Sequence, residues 1–142
     1  MDVEEKIKEL DEAFFSVLIS RFHHLAVLSK DLNVKEALIV SYLGKKRAAS
    51  MSELISVCGT PKTTMTGIIK NLVKKGYVKR GQNSTDARVV EVTLTVSGKK
   101  FYRQFKEKIH IQGKKALKNV TEDEVKRLVE IIQRMNKSLD TK

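Results

Sequence analysis

A mainly α-helical chain with one small antiparallel β ribbon is what the sequence predicts, from three observations. Apolar residues recur every three or four positions through much of its length. Polar residues followed three positions later by glutamate mark several helix starts, and one pair of short alternating runs near residues 77–94 has strand composition. With 142 residues, 41% of them hydrophobic, the chain reads as a single domain over 1–142.

The first element is read over residues 3–29. No glycine or proline interrupts them, and Ile7, Leu10, Phe14, Leu18, Phe22, Leu25 and Leu28 recur as one face of a long helix. Such a helix spans roughly 40 Å, more than a small domain covers by itself. In NVKEALIVSYL, Asn33 is placed to cap the first free amides while Glu36 returns a bond to the cap. Ala37, Leu38, Val40, Ser41 and Leu43 are the expected buried positions. SMSELISVCG repeats the device with Ser50 and Glu53, carries Met51, Leu54, Ile55 and Cys58 inward, and stops at Gly59.

TPKTTMTGIIKNLVKKG starts again. Thr60 is expected to cap, Pro61 sits where its missing N–H is harmless, and Gly76 supplies a positive-φ stop. Two short helices across a tight Gly-Thr-Pro connection, preceded by another helix, form a helix-turn-helix. YVKR and RVVEVTL are short strands joined by the turn-forming GQNSTDA, with Val90, Val92 and Leu94 facing the helices and Glu91 and Thr93 facing water. A ribbon in that place is a wing, so 33–94 reads as a winged helix-turn-helix region.

Thr95 caps a further long helix bearing Phe101, Phe105 and Ile109. Thr121 and Glu124 make another capping box, before Val125, Leu128, Ile132, Met135 and Leu139 at steps of three and four. The flanks, 1–30 and 95–142, carry more apolar stripe than the middle region covers, and they are read as dimerisation helices that bury it against a second copy.

Charge narrows the partners. Twenty-eight Lys and Arg against 17 Asp and Glu give a formal +11, which favours a polyanion, with nucleic acid ahead of an acidic membrane surface. Cys58 is the sole cysteine, so no disulfide framework or cysteine metal cluster is expected, and its place at a helix C-terminus suits filler better than a reactive thiolate. His23 and His24 are adjacent on a helix and point about 100° apart, and His110 is distant in sequence, so no metal site is expected. No nucleophile–base arrangement, carboxylate pair or phosphate cradle is readable; neither an enzyme nor a cofactor is expected. Without a secretory start or a membrane-length apolar run, the expected compartment is the cytoplasm, with no membrane partner.

The helix read over 61–75 has two faces. Met65, Ile68, Ile69, Leu72 and Val73 fall on one side; Thr63, Gly67, Lys70 and Lys74 fall opposite, flanked by Thr64 and Asn71. Small polar groups near the start suit base edges in a major groove, Gly67 permits close approach, and Lys70 and Lys74 suit phosphates. A merely solvated helix would tolerate this face too, but exposed threonines are poor helix formers and need another reason to be there. On the wing, the planar Arg88 fork suits a narrow minor groove, Asp86 is placed to hold it extended, and Arg80 is placed for a phosphate.

DARVVEVTLTVSG, with Asp86, Arg88, Leu94, Thr95 and Gly98, together with MSELISVCGTPKTTMTGIIKNLVKKGYVKR, resembles the MarR family of winged helix-turn-helix transcriptional regulators. The resemblance covers about residues 34–102. It implies a homodimer on pseudo-palindromic promoter double-stranded DNA, commonly a repressor released by a small amphipathic or anionic effector. It makes Thr60 to Lys70, including Lys62, the major-groove reader, Arg88 the minor-groove residue and Asp86 its support. Ala87 stands where the family often has a basic residue, and the cysteine near the first helix that some members use as an oxidant sensor has no counterpart here.

Phe14, Phe15, Phe22, Tyr42 and Phe101 are the candidate lining of an effector pocket closed by the partner, though each is equally explicable as core. Two other classes stay open: a sequence-neutral, chromatin-like DNA coat and a winged-helix module that binds another protein.

Overall fold

The structure, a computed structural model, describes residues 2–28 and 30–140, with their side chains except at 22 and 25–28. In chain order the elements are α1 (Val3–Leu28), α2 (Val34–Lys46), β1 (Ala48–Ser50), α3 (Met51–Cys58), α4 (Lys62–Lys74), β2 (Val78–Gln82), β3 (Val90–Leu94), α5 (Val96–Ala116) and α6 (Glu122–Asp140). The chain is therefore mainly helical with a small antiparallel sheet, the winged helix-turn-helix architecture. It divides into two compact units, 1–106 and 107–142.

The caps explain where the helices begin. Asn33 and Glu36 exchange both bonds of a capping box, at 2.9 and 3.1 Å. Ser50 accepts from the Glu53 amide at 3.1 Å, but the Glu53 carboxylate accepts from the Tyr42 hydroxyl at 2.6 Å instead of returning to the cap, so this is half a box that also ties α2 to α3. Gly59 ends α3 at φ 59° and Gly76 follows α4 at φ 83°, both in the region that favours glycine. In the 107–142 unit, Thr121 and Glu124 complete their box at 2.8 and 3.2 Å.

One core sits in the first unit. Ile39, Val40, Leu43, Leu54, Met65, Ile69, Leu72, Val78 and Val92 are fully buried there, drawn from α2, α3, α4, β2 and β3. Each such side chain contributes about 1.5–3 kcal/mol by leaving water. Three positions differ from the periodicity reading. Leu38 is 51% exposed while Ile39 is 0%, because α2 buries the 36-39-40-43 stripe, one step round from the expected one. Val73 and Val90 are also exposed, the first on the rim of α4 and the second at the loop end of its strand.

The sheet has three strands in the order β1-β3-β2, all antiparallel. β1, absent from the sequence reading, is a three-residue segment with no periodicity to see, and it exists because Ala49 pairs with the distant Val92. α1 is exposed over its described side chains, including Ile7, Leu10, Phe14, Phe15 and Leu18, and α6 has no buried residue.

Candidate nucleic-acid interface

α4 buries Met65, Ile69 and Leu72 and leaves Lys62, Thr63, Thr64, Gly67, Lys70, Asn71 and Lys74 exposed. The two-sided division expected from sequence is present. A Cβ added at Gly67 would meet nothing within 4 Å, so that surface is open. Thr66 is exposed as well, a member of this face that the sequence reading missed. It falls one turn beyond Thr63 and just short of Lys70, and its hydroxyl donates to the Lys62 carbonyl at 2.8 Å.

Thr60 departs from expectation. It is 4% exposed and does not cap α4: its hydroxyl donates to the Cys58 carbonyl at 3.2 Å and its amide to Ile55, so it finishes α3. Burial removes it from the exposed face. The N-cap of α4 is Pro61, with no side-chain bond to the first turn. A helix start without such a cap leaves amide donors for solvent or an incoming anion.

The wing loop between β2 and β3 is organised by Asn83, which the sequence placed in the turn without showing how many bonds it gathers. Its Oδ1 accepts from the Thr85 amide, the Thr85 hydroxyl and the Asp86 amide at 2.8, 2.6 and 3.1 Å, while its Nδ2 donates to Glu91 at 2.7 Å. An asparagine three residues before a turn aspartate carries that signal. Asp86 in turn accepts from the Arg88 amide at 3.0 Å, from Nε at 3.2 Å and from Nη2 at 3.4 Å. The Arg88 side chain is 91% exposed, so the guanidinium is held by one carboxylate and otherwise presented outward. Arg80 is exposed on β2 opposite Val92.

The Arg88 side chain, and then its amide, hold the Asp86 carboxyl below the ordinary carboxylate range. A group depressed on folding contributes above its unfolded pKa, and the contribution disappears as pH falls through the folded one. The wing pair is therefore expected to persist through the neutral range and open only under acid below the usual aspartate value. Carbon-detected NMR of the Asp86 carboxyl would show its midpoint rising toward about 3.9 in Arg88→Ala. An unchanged midpoint would mean that Arg88 does not hold the carboxylate.

Among the described side chains, the candidate pocket aromatics take separate places. Phe101 lies between Tyr77 and Phe105, with ring centroids at 5.4 and 5.6 Å, and serves the packing of α5. Phe14 and Phe15 are exposed on α1, and the side chain of Phe22 lies outside the described residues. Tyr42 lines a cleft of about 610 Å³ with Leu38, Val57 and Cys58, without Phe14, Phe15 or Phe101. Its hydroxyl pKa is raised, first by the bond to Glu53. Burial pushes the Cys58 thiol up against an opposing pull from Lys35, which favours the unreactive thiol form. Among the described residues no His, Cys, Asp and Glu group is arranged for a metal ion, and no helix is long and apolar enough to cross a membrane.

A helix-turn-helix with an outward polar-basic face and a wing tipped by arginine has the arrangement of a DNA-binding transcription regulator of the winged-helix class. Comparison supplies the particular resemblance: residues 30–89 match the family model described as MarR family. It is 26% identical over 110 residues to the uncharacterised HTH-type transcriptional regulator YfiV of Bacillus subtilis, spanning 78% of this chain and 69% of that one. The crystal structure of a mutant MarR from E. coli complexed with operator DNA is similar at a TM-score of 0.75 and 25% identity, over 95% of this chain and 99% of that one. Streptococcus pneumoniae FabT, in complex with DNA, shares the fold at a TM-score of 0.77 and 24% identity, over 98% of each chain.

Proposed function

We propose that this protein is a homodimeric, sequence-specific regulator, a repressor acting in the cytoplasm on pseudo-palindromic promoter double-stranded DNA. The exposed face of α4, from Lys62 through Thr63, Thr64, Gly67, Lys70, Asn71 and Lys74, enters the major groove. Arg88, steadied by Asp86, enters the neighbouring minor groove, and Arg80 meets a phosphate. The observation that carries this reading is the 91% exposed Arg88 side chain, fixed by Asp86 on the same unit as a helix whose whole outer face is small, polar or basic. A neutral protein-docking face would not need a clamped, outward guanidinium.

The exposed apolar positions described on α1 and α6, among them Ile7, Leu10, Leu18, Leu128, Ile132 and Leu139, support the dimer. Two readers related by a two-fold axis meet successive major grooves when about 34 Å apart. A small amphipathic or anionic effector that prefers another spacing would release the DNA by differential binding to the two states.

The test uses the full chain, a duplex selected by the protein from a random pool, and a scrambled duplex. Mass measurement in solution is expected to show two chains per particle. Thr64→Ala is expected to lower affinity for the selected duplex by about 5- to 10-fold, in the range of a lost base contact, while the scrambled duplex binds as before. Equal losses on both duplexes would make Thr64 a backbone contact, and absence of any preference in the wild type would favour a sequence-neutral coat.

A further inference from the structure

Lys75, the residue after the last turn of α4, carries a charge that this strongly basic chain turns inward. Its Nζ donates to the Asp31 carbonyl at 2.8 Å and to both carboxylate oxygens of Glu36 at 3.1 Å. The Glu36 side chain is 3% exposed, against 39% for Lys75, and its Oε1 also accepts from the Asn33 amide at 3.1 Å. One carboxylate thus closes the capping box of α2 and grips the end of α4. Two residues on, burial and then the charge and hydrogen bond of Asp31 raise the Tyr77 hydroxyl pKa, so a second group from the same junction meets the same corner.

A pair with one buried partner is poor evidence for added stability, because apolar side chains of similar volume often serve as well. What it supplies is direction: three acceptors around one ammonium set where the end of α4 lies relative to the start of α2. We infer that Lys75 and Glu36 are positioning residues for DNA recognition, fixing the tilt of the reader helix against the corner between α1 and α2. The inference rests on α4 being the reader. It implies that displacement of residues 31–36 reaches the groove-facing side chains through this tether.

Charge arithmetic makes the test sharp. Glu36→Gln keeps an oxygen for the Asn33 amide but raises the net charge one unit above +11, so electrostatics alone would tighten binding to any duplex. A positioning role has the opposite sign on the selected duplex: about a tenfold loss is expected, with the scrambled duplex bound as well as before or better. Lys75→Met is expected to show the same selective loss without changing the slope of log affinity against log salt, because Lys75 is engaged within the protein. Circular dichroism at the assay temperature identifies folded variants; Lys75→Met, at the more exposed partner, decides the matter if Glu36→Gln unfolds. Selected-duplex affinity kept or improved in the folded variants overturns the inference. So does an equal loss on both duplexes with the salt slope in Lys75→Met reduced by about one, which would make Lys75 a phosphate contact. Failure of the wild type to distinguish the duplexes would defeat the reader assignment itself, a separable result.

Discussion

Arg88→Ala is expected to weaken binding to the selected duplex by about 10- to 100-fold, with the particle mass in solution the same as for the wild type. A groove contact by a guanidinium fork contributes about 1–3 kcal/mol, and Arg88 has the geometry for one: 91% exposed yet held through Nε and Nη2 by a single carboxylate. The Asp86 bonds reduce the rotamer freedom that a long side chain would otherwise lose on binding. Little of the loss is expected to appear as instability, because an exposed, solvent-screened ion pair adds little to folding. Fluorescence anisotropy across salt concentrations separates the contributions. A slope smaller by about one would show that Arg88 displaced a counterion. Affinity unchanged at every salt concentration would remove the wing from the interface.

The second large effect is on stability. Gly98→Ala would ordinarily help an α-helix by about 1 kcal/mol, since alanine is the better helix former. Here the added Cβ would overlap the Tyr77 carbonyl oxygen and press on Leu94. That carbonyl is not free to retreat: it accepts from the Thr95 amide at 3.0 Å, and Tyr77 joins the end of α4 to the start of β2. Thr95 is held from both sides, its hydroxyl accepting from the Gly98 amide at 3.0 Å and donating to the Gly76 carbonyl. Overpacking against backbone is expected to outweigh propensity, for a net loss of about 2 kcal/mol and a fall in Tm of roughly 10 °C. A raised Tm in thermal unfolding would show that the junction yields and that propensity wins.

Both substitutions fall in the segment that carries the family resemblance, but for different reasons. Asp86 and Arg88 are two residues apart in a short loop, so their pairing was legible from spacing alone. Gly98 was legible only as part of a pattern; its reason is a carbonyl 21 residues earlier, which no local rule reaches. The exposed face of α4 was read almost completely because helical periodicity assigns sides without knowing the neighbours. Thr60 was misplaced because a threonine before a proline satisfies the N-cap rule as well as it satisfies the end of the preceding helix, and only packing chose between them. The five candidate pocket aromatics were not legible as a group, because side chains scattered through α1, α2 and α5 have no local relation; Phe101 packs between Tyr77 and Phe105.

By itself the sequence determined what acts within a few residues: capping boxes at Asn33 and Thr121, glycine stops at 59 and 76, the two-sided helix between them, the hairpin tip with Asp86 and Arg88, and a net positive charge. Tertiary structure alone decided which step of the α2 stripe faces inward, that residues 48–50 become a strand, and that Lys75 reaches back 39 residues to Glu36. Caps and periodicity are set by hydrogen bonds and angles along one segment. Burial, strand pairing and ion pairing depend on which distant segment arrives, and that choice belongs to the core as a whole.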